Sequence, residues 1–233
     1  MPEKETPRRG RRQLFSRNEI AEAALRIADR EGLNAVTMQR VAADLGTAPM
    51  TLYGYVSSKD DLLDAVCDFA VAEAGYQPPE VSAAEWRTAL RSLMRETYGG
   101  LVRHPAIVEI RLRRPIFSSE GLSVIVEQAM QILLRAGMPP EEASAVFRTV
   151  ITYLFGFAAL SPQRQEEQIH KTAVTEIGDL DTKRYPSLTE HGAAFGQAMA
   201  GQPAFDHGLD LLLDGIAARL GESTTVDSRP TDP

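Results

Sequence analysis

Residues 45–59, LGTAPMTLYGYVSSK, join two apolar-periodic segments through one glycine, and the second segment is only about seven or eight residues long. A helix that short cannot be stable alone, because nucleating it costs more than so few hydrogen bonds return. Neighbours must hold it. The segment before it opens at Thr37 and sets Met38, Val41, Ala42 and Leu45 on one face at i, i+3, i+4, i+7 spacing. Gly46 falls where a left-handed residue lets the chain turn sharply, and Pro49 suits a first helical turn. Two helices on a tight glycine turn read as a helix-turn-helix.

The neighbours are legible too. Ser16 and Glu19 fit a capping box, followed by an apolar stripe of Ile20, Ala23, Ala24, Ile27 and Ala28 that Gly32 ends. Ser58, boxed by Asp61, opens a fourth helix whose buried face is Leu62, Leu63, Val66, Phe69 and Ala70. GYQPPEVS, residues 75–82, interrupts the pattern and divides the chain. Four parts result: a flexible basic arm (1–14), a helix-turn-helix domain (15–74), a second helical domain (82–221) and a disordered tail (222–233). In the second domain, Ser82 and Glu85 cap a helix running to His104-Pro105, and a short helix covers Ile107–Leu112. Longer segments follow at Ser119–Ala136 and Pro140–Leu160. Residues 161–204 are polar and irregular, with a helix expected over Ser187–Ala200, boxed by Ser187 and Glu190. The last helix spans Phe205–Leu220 and stops at Gly221. No strand pattern and no repeat occurs, so the fold class is all-α.

Charge sharpens the functional reading. The net charge is -7, yet residues 1–59 are net +3 and residues 60–233 net -10. A basic module on an acidic body points to an anionic partner for the module alone. The single cysteine, Cys67, excludes an intrachain disulfide and suits a reducing cytoplasm. No run of 18 apolar residues suggests a membrane span, and the N-terminus lacks the apolar core of a secretory signal. His104, His170, His191 and His207 have no metal-ligand spacing, and no phosphate loop or nucleophile elbow occurs, so neither enzyme, metal nor cofactor is expected.

A short third helix would span about 11 Å, enough to lie in a major groove. On it, Ala48, Leu52 and Val56 share the inward face; Met50, Thr51 and Gly54 point out, flanked by Tyr53 and Tyr55. Thr51 can bond a phosphate or touch a thymine methyl, and the tyrosine hydroxyls can meet phosphate oxygens. Gln39 can read adenine and Arg40 can hold a phosphate. Lys59 sits at a helix N-terminus, where the dipole already favours an anion. The arm, with Arg11 and Arg12 beside Arg8 and Arg9, can reach a minor groove. A ligand-free helical scaffold, an architectural DNA protein or an activator is the alternative.

The pattern Thr37, Val41-Ala42, Leu45-Gly46, Thr51-Leu52-Tyr53, Tyr55, Lys59, Leu62-Leu63 resembles the DNA-binding segment of the tetracycline-repressor (TetR) family of bacterial transcriptional regulators. The second domain resembles that family's effector domain more weakly, at Trp86, Arg114-Pro115, FGFAAL (Phe155–Leu160) and Phe205–Leu220. The resemblance implies an all-helical homodimer that binds a palindromic double-stranded DNA operator, represses transcription and is released by a small molecule. The family's DNA contacts then carry over to Gln39, Arg40, Thr51, Tyr53, Tyr55 and Lys59, and Arg11, Arg12, Thr37, Pro49 and Met50 complete the expected DNA-facing set. Pro49 and Met50 replace the family's commoner small or polar residues, and Gly54 a usually large one. Where the family grips tetracycline and its magnesium, this chain has Gly75, Leu93, Thr97 and Ile110, which implies another effector and no metal.

Two segments suit a dimer. Pro140–Leu160 is apolar on more than one face, and Phe205–Leu220 repeats Leu209, Leu212, Leu213 and Ile216. An apolar or aromatic effector is expected among Trp86, Met94, Tyr98, Phe117, Met130, Phe147 and Ile151. Arg111, Arg113 and Arg114 form a second basic cluster, either for an anionic group or as a solvated face.

Overall fold

Hydroxyl caps start three helices of the first domain. The computed structural model describes residues 15–75, 85–160, 174–198 and 201–226, and among these no strand occurs. α1 (Arg17–Glu31), α2 (Met38–Asp44), α3 (Pro49–Leu52) and α4 (Lys59–Glu73) build the first domain. Ser16 Oγ accepts from the Glu19 N–H, and the Glu19 carboxylate accepts from the Ser16 N–H at 2.6 Å, so the box is complete. Thr37 caps α2 and Ser58 caps α4 in the same way. The Ser58/Asp61 box is only half made: the Asp61 carboxylate takes the N–H and hydroxyl of Ser57 instead, and Arg17 draws it to 2.5 Å.

The turn after α2 follows the sequence. Gly46 has φ 66°, its N–H donates to the Ala43 carbonyl, and Thr47 N–H donates to Ala42. These paired bonds satisfy carbonyls that the helix end leaves open. The third helix differs from expectation. It has four residues, not seven or eight, because after Leu52 the chain closes into tight turns: Gly54 N–H donates to Thr51, and Tyr55 and Val56 N–H both donate to Leu52. Ala48 is its exposed N-cap and not an inward residue, since its extended backbone lies before the first helical turn. Leu52 and Val56 do face in, joining Ile20, Ala24, Ile27, Val41, Leu62 and Val66 in a dry core. Each such aliphatic side chain contributes roughly 1.5–3 kcal/mol on burial. That anchorage is what lets a one-turn helix persist.

Among the described residues the second domain holds α5 (Trp86–Arg103), α6 (Pro105–Arg113), α7 (Glu120–Arg135), α8 (Pro140–Leu160), α9 (Pro186–Gln197) and α10 (Gln202–Val226), with a short helical stretch over 174–178 before α9. Ser82, the expected cap of α5, lies outside the described residues; Glu85 occupies the N-cap, and its side chain does not make the capping hydrogen bond. α9 starts at Pro186 without a Ser187 box, because the proline takes the first helical position. α10 runs through Gly221 to Val226, so residues 222–226 are helical and not tail. A glycine costs a helix only about 1 kcal/mol, too little to stop one seated by Phe205, Leu209 and Leu213. Two devices lock α10 to α5. Arg87, Arg91 and Arg95 pair with Asp214, Asp210 and Asp206, an antiparallel ladder with one rung per turn. Beneath it Phe205 stacks on Tyr98 at 4.1 Å between centroids, with Tyr153 and Phe157 of α8 against the pair.

Gly46→Ala tests the turn. No atom lies within 4 Å of the added Cβ, so only backbone strain acts. A loss of about 1–2 kcal/mol in urea unfolding is expected; an unchanged midpoint would show that the turn tolerates a right-handed residue.

Candidate nucleic-acid interface and effector cavity

α2 and α3 present a ridge whose underside is sealed. Met50 is 79% exposed and Tyr53 48%, while Leu52 between them is fully buried. Thr51 and Pro49 are half-buried, and Gln39 and Lys59 are exposed, Lys59 as the first helical residue of α4. Thr37 is exposed, but its hydroxyl already accepts the Arg40 N–H at 3.0 Å. Arg40 lies fork to fork on Glu31, at 2.6 and 3.2 Å, with Asp44 at 3.6 Å. This pairing raises the guanidinium pKa and lowers that of Glu31, so a phosphate would have to compete for Arg40. The Tyr55 hydroxyl accepts the Phe15 N–H at 3.4 Å, which puts it where the chain enters α1. Arg11 and Arg12 lie outside the described residues.

Sequence spacing hides the groups that fix this ridge to the rest of the molecule. Arg17 donates to the carbonyls of Tyr55 and Asp61 and to the Asp61 carboxylate, tying α1 to both ends of the α3–α4 junction. The Arg17 hydrogen bond holds Asp61 down to about 2. Asp60, Asp64 and Asp68 stand one turn apart along α4 and meet the α6–α7 corner. Arg114 bonds Asp60 at 2.6 Å and Asp64 at 2.5 and 3.2 Å. Ser118 donates to Asp64, and Ser119 and the Gly121 N–H donate to Asp68. A Cβ on Gly121 would stand 3.1 Å from the Asp68 Cα, so α7 touches α4 backbone here. The arginine cluster is therefore divided. Arg114 serves α4; Arg113 stays exposed near Glu109 and Asn34; Arg111 donates to the Pro115 carbonyl, its Nε buried without a partner.

A second link joins the domains at His104, where α5 meets α6. Its Nδ1 lies 2.7 Å from Asp29 Oδ2 on α1, and its Nε2 lies 3.4 Å from Glu73 on α4, within ion-pair range but not aligned as a hydrogen bond. The Asp29 bond, aided by both carboxylate charges, raises the imidazole pKa against the opposing effects of burial and Arg103.

Behind α4 lies a small apolar cavity of about 30 Å³, room for a water or two. Cys67, Ala70, Val71 and Ala74 of α4 face Thr97, Gly100 and Leu101 of α5, with Ile107, Leu122, Ile125 and Phe155 closing it. Burial pushes the Cys67 thiol up to about 12, which keeps it a neutral wall. Thr97 spends its hydroxyl on the Leu93 carbonyl at 2.7 Å. None of the seven residues expected to line an effector site lines this cavity. Met94 and Tyr98 are fully buried, and Tyr98 belongs to the aromatic stack; Trp86, Met130, Phe147 and Ile151 are half-buried. Phe117 is 71% exposed, because the corner carrying it turns away from the core. Apolar periodicity finds inward faces but does not say which crevice each face borders.

Residues 20–66 match the family of bacterial regulatory proteins, tetR family, and residues 78–220 match the tetracyclin repressor-like C-terminal domain. The HTH-type transcriptional repressor DrrR1 of Streptomyces coeruleorubidus is 34% identical over 93% of this chain and 84% of that protein. Among solved structures, ActR of Streptomyces coelicolor in complex with (S)-DNPA superposes with a TM-score of 0.72 at 24% identity, over 88% of this chain and 98% of that one. BioQ bound to its natural double-stranded DNA operator superposes at 0.59 with 26% identity, over 88% and 99%.

His104 gives the junction a pH signature. Its pKa is raised on folding, so its contribution is complete below the unfolded value near 6.5 and fades as pH rises through the higher folded value. His104→Gln is expected to lower the melting temperature at pH 6 and to converge on the parent protein by about pH 9. Parallel melting curves across that range would remove the imidazolium from the account.

Proposed function

Since this chain belongs to the tetR family of bacterial regulatory proteins, DNA-binding regulators that are not enzymes, we propose that it represses transcription by binding a palindromic operator as a homodimer and leaves the operator when a small apolar or aromatic molecule enters the second domain. The observation that carries this reading is the sealed ridge: Met50 and Tyr53 stand exposed while Leu52 and Val56 anchor them below. A rigid edge of that kind is what base readout needs. The likeness to BioQ, solved on its operator, supports the same reading. The protein works in the cytoplasm, with DNA contacts from Gln39, Met50, Thr51, Tyr53 and Lys59 and from the arginines of the arm.

Dimerisation is supported by an unfinished surface. In α8 only Ala143, Val150 and Leu154 are buried, although the helix is apolar enough by composition to cross a membrane. Leu160 is 81% exposed on α8, and Leu211 61% on α10. A second copy covering both helices satisfies them and sets two recognition ridges about 34 Å apart.

Release follows from the size of the cavity. Ligand sites of drug-sized molecules measure roughly 300–1,000 Å³, far above the volume of the apolar cavity behind α4. In this reading an effector enters there as α4 separates from α5 or α7, and the same α4 begins at Lys59 beside α3. Its differential affinity for the opened form is what weakens DNA binding.

Footprinting on the DNA flanking the protein's own gene tests this directly, with a symmetric protected region as the expected result and no protected region as the adverse one. On that duplex, Lys59→Ala is expected to weaken binding on all sequences alike and to reduce the salt slope by about one. Gln39→Ala is expected to relax base preference at one position per half-site; an unchanged preference in a selection assay would exclude direct readout there.

A further inference from the structure

The first three turns of α4 hold four carboxylates, Asp60, Asp61, Asp64 and Asp68, against one ammonium, Lys59. Lys59 is an assigned phosphate contact in the reading above, on which this inference rests. An acidic helix end placed there would repel the phosphate backbone unless its charge were reduced. Two arginines reduce it from outside the helix. Arg17 covers Asp61, and Arg114 covers Asp60 and Asp64 together. The two covers differ in where they are rooted. Arg17 belongs to α1 and travels with the DNA-binding domain. Arg114 ends α6, its N–H bonded to Ile110, on a corner whose Pro115 carbonyl accepts from Arg111 and Ser118. The helices on either side of that corner line the cavity through Ile107, Leu122 and Ile125.

We propose that Arg114 is an electrostatic mask: docked, it offsets one of the two negative charges of Asp60 and Asp64 so that α4 can approach DNA, and when an effector shifts the corner it withdraws and leaves both carboxylates to repel the operator. Derepression then has a charge component in addition to any change in the spacing of the recognition ridges. Asp60 is well placed for this, being 66% exposed and adjacent to Lys59. Neighbours on one helical turn lie within the Debye length of about 10 Å at 0.1 M salt. Arg114 itself is only 19% exposed, so its charge is committed to these partners and not to the phosphate.

The test uses the full-length protein and a fluorescein-labelled 30-base-pair duplex of random sequence, because a mask acts on any phosphate backbone. Arg114→Gln is expected to weaken binding about three- to tenfold at low salt, with the difference shrinking as salt rises. Arg114→Lys keeps the charge and loses the fork, and should bind close to the parent protein. Asp60→Asn should bind as well as the parent or better, and adding Asp60→Asn and Asp64→Asn to Arg114→Gln should restore binding. If Arg114→Lys fails as badly as Arg114→Gln, or Asp60→Asn itself weakens binding, the arginine is a geometric clamp and the mask is wrong. Absence of any duplex binding by the parent protein at low salt would instead overturn the DNA-binding reading beneath it. Melting temperatures of each variant keep loss of fold apart from loss of charge.

Discussion

Helix α4 cannot satisfy one of its faces without committing the others. Leu62 and Val66 close the core of the first domain, Cys67, Ala70 and Val71 wall the cavity, and Asp60, Asp64 and Asp68 receive the α6–α7 corner. Interiors are close-packed and do not deform smoothly. A displacement on the cavity side must therefore reappear at Lys59 and, through Arg17 and Tyr55, at the α3 ridge. The two polar latches, at Arg114 and at His104, are where that displacement meets resistance.

The contacts differ in how they were legible. Whatever depends on neighbours within a few residues is visible in the sequence: the Ser16–Glu19 box, the Gly46 turn, the Pro49 start and the buried stripe of α1. The length of α3 is not, because Leu52 accepts two N–H groups in a turn that a helical pattern can mimic. Local pairing rules also misplace Asp61, since a residue 44 positions away competes for its carboxylate. Arg114 looks like part of a basic cluster along one helix, yet its partners lie 50 and 54 residues upstream. Phe117 looks like core by residue type and stands in solvent. Fold and DNA ridge rest on local signals; cavity and interdomain latches rest on long-range contacts that one sequence does not reveal.

The second domain divides its apolar residues between two tasks. Tyr98, Tyr153, Phe157 and Phe205 form a stack that fixes α5, α8 and α10, reinforced by the arginine–aspartate ladder above it. Small side chains line the other half, between α4, α5 and α7, where Ala70, Ala74 and Gly100 leave a cavity with a mostly apolar wall. In the proposed release, effector binding moves α4 and leaves the α8–α10 surface in place.

The central claim is that two copies hold their ridges one turn of DNA apart. Spin labels at Met50→Cys test it most directly, since Met50 is exposed and the native Cys67 is buried with its thiol held neutral. On the protected operator duplex, a sharp dipolar distance close to one helical repeat, about 34 Å apart allowing for the labels, is the result expected. No dipolar modulation, or a mean distance half a turn away from that value, would contradict it.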